Sequence, residues 1–149
     1  MDVMYQKEYL TRPVIEEMGT LIQAHNTEVR DHGEPDVDWL AYQTLQDTGV
    51  FHFYTIRSRG DLMGYIGYVV APNLHHRGQT CAVCDIIYVD PAHRGRMYAV
   101  KLMKYAEQEL TCLGVSTIGQ SVKSHHDFGP MLTRQGYVLD EHYYTKEVH

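Results

Sequence analysis

The sequence lacks a long uninterrupted apolar run, and its first residues are polar. No segment approaches the roughly 20 consecutive apolar residues that a membrane-spanning helix needs. The opening stretch, "MDVMYQKEYLTRP", has no apolar core, which is unlike a secretory signal. We therefore expect a cytoplasmic protein without a membrane partner.

Cysteine is also scarce, with Cys81, Cys84 and Cys112 as the three thiols of the chain. An odd number does not suggest a disulfide framework. Cys81 and Cys84 form a C-x-x-C inside a predicted strand, where alternation turns the two side chains to opposite faces. The doublets at 75–76 and 125–126 lack the helical H-x-x-x-H spacing of a zinc site. We expect no metal site.

Positive charge is in deficit. The chain has 13 basic and 19 acidic residues and a net charge of −6, which argues against non-specific nucleic-acid binding and mildly favours a cationic ligand. Hydrophobic residues make up 44% and charged residues 21%, which are ordinary globular proportions. The length of 149 residues predicts a single domain over 1–149.

Hydrophobic periodicity predicts three helices in addition to a long central one. The first helix is predicted to begin at Thr11, a capping residue, with Pro13 in its first turn. A polar loop over 24–39 and a second helix over 38–47 follow it. Apolar residues at three- and four-residue steps predict the long helix up to Leu113, ended by Gly114. A short last helix closes at Gly136.

Strand patterns lie between these helices. They predict a hairpin over 50–57 and 62–71, a third strand over 80–89, a strand over 115–122 parallel to it, and one or two final strands over 137–148. The order α-α-β-β-β-α-β-α-β-β predicts an α+β fold, with a mixed sheet flanked by helices.

The junction "VDPAHRGRMYAVKLM" joins the third strand to the long helix. Backbone N–H groups and the positive end of the helix dipole converge on one point at such a junction. Arg94 and Arg96 add charge there, and Gly95 allows close backbone approach because it has no Cβ. The pattern favours a phosphate site. The alternative is that both arginines are solvated charges at a surface turn.

The same junction resembles the acyl-CoA-binding motif of the GNAT superfamily of N-acyltransferases, a strand ending V-x-P followed by R-x-x-G-x-G/A. Arg94 matches the arginine and Ala99 the final small residue, whereas Met97 stands in place of the middle glycine. "MLTRQGY" is similar to the family's L-Y-x-K-x-G-F. Together with "PNLHHRG" and "HDFGPML", the junction also resembles short GNAT-type proteins of phages and prophages, which would act in the host cytoplasm.

The resemblance implies the GNAT fold, a mostly antiparallel mixed sheet with a splayed parallel strand pair. It implies acetyl-CoA as co-substrate and direct transfer of the acetyl group to a primary amine of an unidentified acceptor. The pantetheine arm would lie along Ile87, Tyr88 and Val89. The implied pyrophosphate-binding residues are Arg94, Gly95, Arg96, Met97, Tyr98 and Ala99.

Three residues are candidates for proton transfer. Asp85 is expected on the same strand face as Ile87 and Val89 and, once buried there, could act as a base through a water; the alternative is a carboxylate that caps or pairs with a neighbouring loop. His125 and His126 could relay a proton; the alternative is a pair of histidines that bonds the adjacent loop.

Two departures from the family pattern support a second hypothesis. Met97 replaces the motif glycine, and Leu132 stands where many members carry a tyrosine that protonates the leaving thiolate. A GNAT-like module that binds CoA or a protein partner without turnover would tolerate both. "HYYTKEV" near the end could pair across a homodimer. The predicted acceptor side is acidic and histidine-rich: His25, Glu28, His32, Glu34, Asp36 and Asp38.

Overall fold

A five-stranded mixed sheet organises the chain. The computed structural model describes residues 2–29, 35–94 and 97–149. Within them the strands lie in the spatial order of the chain: β1 Val3–Glu8, β2 Phe51–Ser58, β3 Asp61–Pro72, β4 Thr80–Val89 and β5 Thr117–Gly119. The first four pair antiparallel, and β4 and β5 pair parallel. The predicted fold class is confirmed.

Helices cover both faces of this sheet. They are α1 Arg12–Val29, α2 Trp39–Asp47, α3 Tyr98–Cys112 and α4 Gly129–Arg134. On one face, here called the α3 side, α3 and α4 bury Leu102, Leu110 and Leu132 against the sheet. On the other, the α1 side, Met18 of α1 packs with the rings of the sheet. The periodic stripe predicted for α3 is this buried face.

The β2–β3 hairpin forms where the sequence predicts it. Its two-residue turn, Arg59 and Gly60, has φ values of 51° and 84°. Positive φ at both central residues gives a turn whose twist matches that of the two hairpin strands. The turn therefore fixes the register of the two strands that form the centre of the sheet.

Four sequence-based expectations on secondary structure are wrong. β1 was not predicted, because its alternation of polar and half-buried residues is the weak pattern of an edge strand. α1 continues to Val29 instead of giving way to a loop at 24, and β5 has three residues instead of eight. Residues 137–149 form no strand, although their composition is rich in strand-forming residues.

A β-bulge in β4 also corrects the predicted position of Asp85. Tyr68 pairs with Cys84 and Gly67 with Ile86, so Asp85 has no partner on β3. The extra residue reverses the alternation, so that Cys84 and Ile87 pack on the α3 side but Ile86 packs on the α1 side. Asp85 therefore does not share a face with Ile87 and Val89.

An ion-pair network ties β1 to β2 and α1. The Arg57 guanidinium donates to Glu8 at 2.8 and 3.0 Å and to Glu17 at 2.6 and 2.8 Å. Burial alone would raise the pKa of Glu8, but hydrogen bonds from Arg57 and Thr55 outweigh it and hold that pKa below its ordinary value. The hydrogen bond from Arg57 likewise lowers the pKa of Glu17.

We expect Arg57→Met to lower the free energy of unfolding at neutral pH by roughly 3–5 kcal/mol, because it leaves the partly buried Glu8 carboxylate uncompensated. Urea unfolding followed by circular dichroism measures the loss. Arg59→Met, which removes an exposed arginine of the hairpin turn, is the control and should change stability by less than about 0.5 kcal/mol.

The same network predicts a pH dependence. Both carboxyl groups have a lower pKa in the folded than in the unfolded chain, so their contribution is present above the ordinary glutamate pKa and is lost as pH falls through the lowered values. Acidification below about pH 4.5 should thus destabilise the wild type more steeply than Arg57→Met. Equal slopes for the two proteins would contradict this role.

Candidate functional site

The sheet opens between β4 and β5. The parallel pairing joins Cys81, Ala82 and Val83 to Thr117–Gly119 and then stops. β4 runs on to Val89, and no other strand of the described residues lies along that edge beyond Val83. The free edge from 84 to 89 includes the residues predicted to bind pantetheine, Ile87, Tyr88 and Val89. It ends at the turn that leads to α3.

This turn places Arg94 at the end of β4. The Asp90 backbone N–H donates to the Met63 carbonyl at 2.8 Å, and the Asp90 carboxylate accepts from the Ala92 N–H at 3.0 Å. Arg94 donates from Nε to the Val89 carbonyl at 2.9 Å, and its guanidinium lies 5.3 Å from the centre of the Tyr88 ring. Backbone and ring contacts thus hold the arginine against the end of β4.

Met97 begins α3 in a left-handed conformation. Its φ of 63° and ψ of 15° are values that glycine adopts readily and other residues rarely. Its side chain is 60% exposed and makes no capping hydrogen bond. The residue in the place of the motif's middle glycine therefore has backbone angles that glycine would adopt without strain. The other predicted loop residues, Gly95 and Arg96, lie outside the described residues.

The first turn of α3 can receive an anion. The first intrahelical bond runs from the Lys101 N–H to the Met97 carbonyl at 2.9 Å, so the preceding N–H groups at 98–100 have no carbonyl partner within the helix. Tyr98 is buried in the α3-side core and Ala99 is half-buried. These two residues therefore fix the helix against the sheet, and their contribution to anion binding would come from the backbone.

A second feature of the opening is Gln120, which follows β5 directly. Its Nε2 donates to the Tyr68 hydroxyl at 3.0 Å, while its Oε1 is buried and has no hydrogen-bond partner among the described residues. A buried acceptor without a donor costs free energy, so this oxygen suits a ligand that brings an N–H group. Sequence reasoning missed Gln120, because no pattern distinguishes it from any polar residue after a strand.

A pocket of about 240 Å³ lies on the α1 side, between α1, α2 and the sheet. Most of its lining is apolar and includes Trp39 of α2 and Phe51 and Ile86 of the sheet. Its polar members include His25, Asn26, Asp36 and Tyr42. Two of the residues predicted to border the acceptor side, His25 and Asp36, therefore line this pocket. Among the other residues predicted there, His32 and Glu34 and the side chain of Glu28 lie outside the described residues.

Asp38, also predicted on the acceptor side, has a structural role. Its Oδ1 accepts from the Ala41 N–H at 2.9 Å and caps α2. His25 has its Nδ1 3.1 Å from the Tyr65 hydroxyl, and its ring stacks on Tyr88 at 4.9 Å between centres. Tyr88 contacts both His25 and Arg94, and so connects the pocket to the end of β4.

Asp85 contacts the wall of this pocket. The Tyr42 hydroxyl donates a hydrogen bond to Asp85 Oδ2. Burial, and then the bond to Asp85, raise the pKa of Tyr42, so that the phenol stays protonated at neutral pH. Asp85 itself is exposed, contrary to the burial expected of it. Tyr42 was missed because the bond joins residues 43 positions apart, and twelve tyrosines gave no reason to choose one.

His125 and His126 lie in an exposed turn after β5. The His126 N–H donates to the Lys123 carbonyl at 3.0 Å, and Asp127 accepts from the Gly129 N–H at 2.7 Å before α4 begins. Asp85 accepts its hydrogen bond from Tyr42 of α2. Leu132, at the position of the family's tyrosine, is buried in the α3-side core.

The described residues contain no group of three or more histidine, cysteine, aspartate or glutamate side chains that could hold a metal ion. No helix in the described part of the chain is both long and apolar enough to cross a bilayer.

Comparison with known proteins agrees with this geometry. Residues 15–129 match the model of the acetyltransferase (GNAT) family. No curated protein matches the sequence significantly. Solved structures do: a ribosomal-protein-alanine N-acetyltransferase from Brucella melitensis is 19% identical, with 99% of this chain and 100% of that chain covered and a TM-score of 0.77.

Two further structures have the same fold. An aminoglycoside acetyltransferase from an uncultured soil metagenomic sample is 13% identical, with coverage of 100% and 99% and a TM-score of 0.77. A predicted acetyltransferase from Clostridium acetobutylicum, solved with acetyl-CoA, is 10% identical, with coverage of 98% and 96% and a TM-score of 0.77. At these identities the likeness shows the fold alone, whereas the family match covers most of the chain. The chain therefore belongs to the GNAT family of acetyltransferases.

Proposed function

We propose that this chain is an acetyl-CoA-dependent N-acetyltransferase that acetylates a primary amine by direct transfer. The observation that carries the proposal is the free edge of β4, which runs from the turn before α3 to the Asp85 and Tyr42 pair at the α1-side pocket. β4 would thus connect the proposed nucleotide-binding site with the proposed amine-binding site. The family match supports acetyl transfer and leaves the acceptor open.

Three features fit acetyl-CoA. The N–H groups at the start of α3 and the Arg94 guanidinium would hold the pyrophosphate. The edge at 87–89 would pair with the pantetheine arm as an added strand. The buried Oε1 of Gln120 would accept from an amide N–H of that arm. Acetyl-CoA supplies the thioester whose carbonyl carbon an amine can attack.

The pocket suits a small amine or the end of a larger one. Its volume of about 240 Å³ is below the 300 Å³ or more that is usual for a drug-sized ligand. The rings of Trp39 and Phe51 would contact an apolar part of the acceptor. Asp36 at the wall and Asp85 beyond Tyr42 would attract the ammonium group.

In the proposed mechanism Asp85 takes one proton from the ammonium group, directly or through one water, and the free amine attacks the acetyl carbon. The C–S bond then breaks, CoA leaves as the thiolate, and the second proton of the attacking nitrogen passes to solvent. The Tyr42 hydroxyl orients this carboxylate, and because its pKa is raised it acts as a donor and not as the base. A backbone N–H of the free β4 edge polarises the acyl oxygen. Leu132, at the α4 position where many family members carry a tyrosine, is buried in the core and offers no hydroxyl to the leaving thiolate. A relay through His125 or His126 remains a prediction.

Asp85→Asn should lower kcat by about 100-fold or more and leave the affinity for acetyl-CoA unchanged, because it removes the base without changing the strand. Tyr42→Phe should lower kcat less, since it removes only the orienting hydroxyl. Thiol release from acetyl-CoA in the presence of a panel of amines measures both. Asp61→Asn, at an exposed end of the β2–β3 hairpin, is the control. Unchanged kcat in Asp85→Asn would exclude it as the base.

Arg94→Gln should weaken CoA binding about 10- to 100-fold, because a charge-assisted hydrogen bond to phosphate contributes roughly 1.5–3 kcal/mol. Titration calorimetry with CoA measures the change. Arg77→Gln is the matched control, since it removes the same charge from an exposed position in the β3–β4 connection. Equal affinities of the two variants would show that the pyrophosphate lies elsewhere.

Met97→Gly should be more stable than Met97→Ala by about 1 kcal/mol, because alanine retains the Cβ that opposes the left-handed conformation. It should also bind CoA at least as tightly as the wild type, since the backbone shape is kept. Urea unfolding and CoA titration of both variants test this. Lower stability of the glycine variant would mean that the turn is not left-handed in solution.

The alternative is a module that binds CoA without turnover, and Leu132 supports it because it replaces the family's tyrosine. The same assays distinguish this module from an enzyme. Stabilisation by acetyl-CoA in thermal unfolding without thiol release for any amine would favour it. Thiol release that depends on an amine and on Asp85 would exclude it.

A further inference from the structure

The α1-side pocket has an apolar interior and carboxylates toward solvent. Three of its lining residues are at most 2% exposed: Leu10, Met18 and Phe51. Asp36, which also lines it, is exposed. Asp85, which accepts a hydrogen bond from the pocket wall, is exposed as well. A ligand in this pocket would therefore have hydrocarbon at its buried end and negative charge at its exposed end.

The aromatic wall of the pocket packs on the sheet. The ring centres of Trp39 and Tyr42 are 6.0 Å apart, and those of Tyr42 and Phe51 are 4.8 Å apart in an edge-to-face arrangement. Phe51 also stacks on Phe53, with 6.2 Å between centres. A Cβ at Gly67 of β3 would lie 2.5 Å from the Phe51 ring, so this ring occupies space that glycine leaves. The wall is thus formed before a ligand binds, which lowers the cost of binding an apolar group.

Two polar side chains of the lining have protein partners. The Tyr42 hydroxyl donates to Asp85, and His25 Nδ1 lies 3.1 Å from the Tyr65 hydroxyl. Asp36 is the one carboxylate among the described residues of the lining. A second ammonium group inside the pocket would lose its water and have no carboxylate beside it, and burial of an unpaired charge costs far more than burial of a methyl group. The pocket therefore disfavours diamines and polyamines.

The volume of the pocket sets the size of the apolar group. An apolar cavity of roughly 150 Å³ is large enough for benzene. The pocket encloses about 240 Å³, which leaves space for a short carbon chain beside such a ring. A chain of this kind would connect an apolar group against Phe51 with an ammonium group near Asp85.

We propose that the acceptor is an apolar monoamine, in which one primary amine is joined by a short carbon chain to a branched alkyl or phenyl group. The apolar group lies against Trp39 and Phe51, and the ammonium group lies at Asp85. The nitrogen gains the acetyl group and gives up two protons, one to Asp85 and one to solvent, while CoA leaves as the thiolate. This inference rests on the proposed function, because that function makes the pocket the acceptor site.

Tryptophan fluorescence reports on this pocket directly, because Trp39 is the single tryptophan of the chain. The full chain is titrated with matched ligands in excess CoA, which has no acetyl group to transfer. Butylamine is compared with diaminobutane, and isopentylamine with a tripeptide that begins with leucine. We expect saturable changes with both monoamines and at least about tenfold weaker binding of the diamine and the tripeptide.

A series of straight-chain monoamines tests the apolar interior. From propylamine to pentylamine, binding should tighten roughly fourfold for each added methylene, because each one leaves water for the pocket. Equal or tighter binding of the diamine or the tripeptide would overturn the proposal. So would affinities independent of chain length, or no saturable change with any monoamine.

Two neighbouring residues of α2 provide a variant and its control. Trp39→Ala removes a ring of the pocket wall, whereas Leu40→Ala removes a side chain that is 74% exposed. In calorimetry with excess CoA, Trp39→Ala should bind phenylethylamine at least about tenfold more weakly than the wild type, and Leu40→Ala should bind it equally well. Thermal unfolding and the affinity for CoA check that each variant is folded. Equal affinities of the two variants for phenylethylamine would overturn the proposal.

Thiol release from acetyl-CoA separates this inference from the proposed function. Selective binding of monoamines without thiol release for any amine would contradict the proposed function and support the selectivity of the pocket. Thiol release that is faster with diaminobutane than with butylamine would support acetyl transfer and overturn the inference.

Discussion

The short pairing between β4 and β5 is the constraint on which the rest of the site depends. Three residues of each strand hold the two together, and β4 then runs on alone toward α3. A strand edge without a neighbour needs a partner for its N–H and C=O groups, and an extended ligand can supply one. β4 is followed in the chain by α3, whose N-cap residue makes no side-chain capping bond, so the proposed CoA site combines strand-like bonds along β4 with anion-binding donors at the start of α3.

The bulge at Asp85 connects this edge to the other face of the sheet. Without the extra residue, simple alternation would turn Asp85 toward the side of Ile87, where α3 lies. With it, the carboxylate meets Tyr42 of α2, and Ile86 joins the wall of the pocket. A single irregularity in β4 thus places a carboxylate on the proposed acceptor side, while the strand continues along the edge proposed for the cofactor. The proposed base and the proposed CoA edge are therefore neighbours on one strand.

Patterns in the sequence predicted the elements whose structure depends on interactions between nearby residues. The stripe of α3, the Arg59 and Gly60 turn and the junction after β4 each follow from a few adjacent residues. The features that the sequence did not predict depend on contacts between distant residues. β1 forms because it pairs with β2, and Tyr42 belongs to the candidate site because a bulge 43 positions later turns Asp85 toward it. Residues 138–149 show the converse, since their composition is rich in strand-forming residues and yet they form no strand.

The most direct test of the central claim is the change in backbone amide chemical shifts when CoA is added to the full chain. The account predicts saturable changes in two clusters at once, along the free edge at 84–89 and at the start of α3 around 97–100. Changes at the start of α3 alone would mean that the pantetheine arm does not use the opening of the sheet. Saturable changes confined to other parts of the chain, or none, would contradict the account.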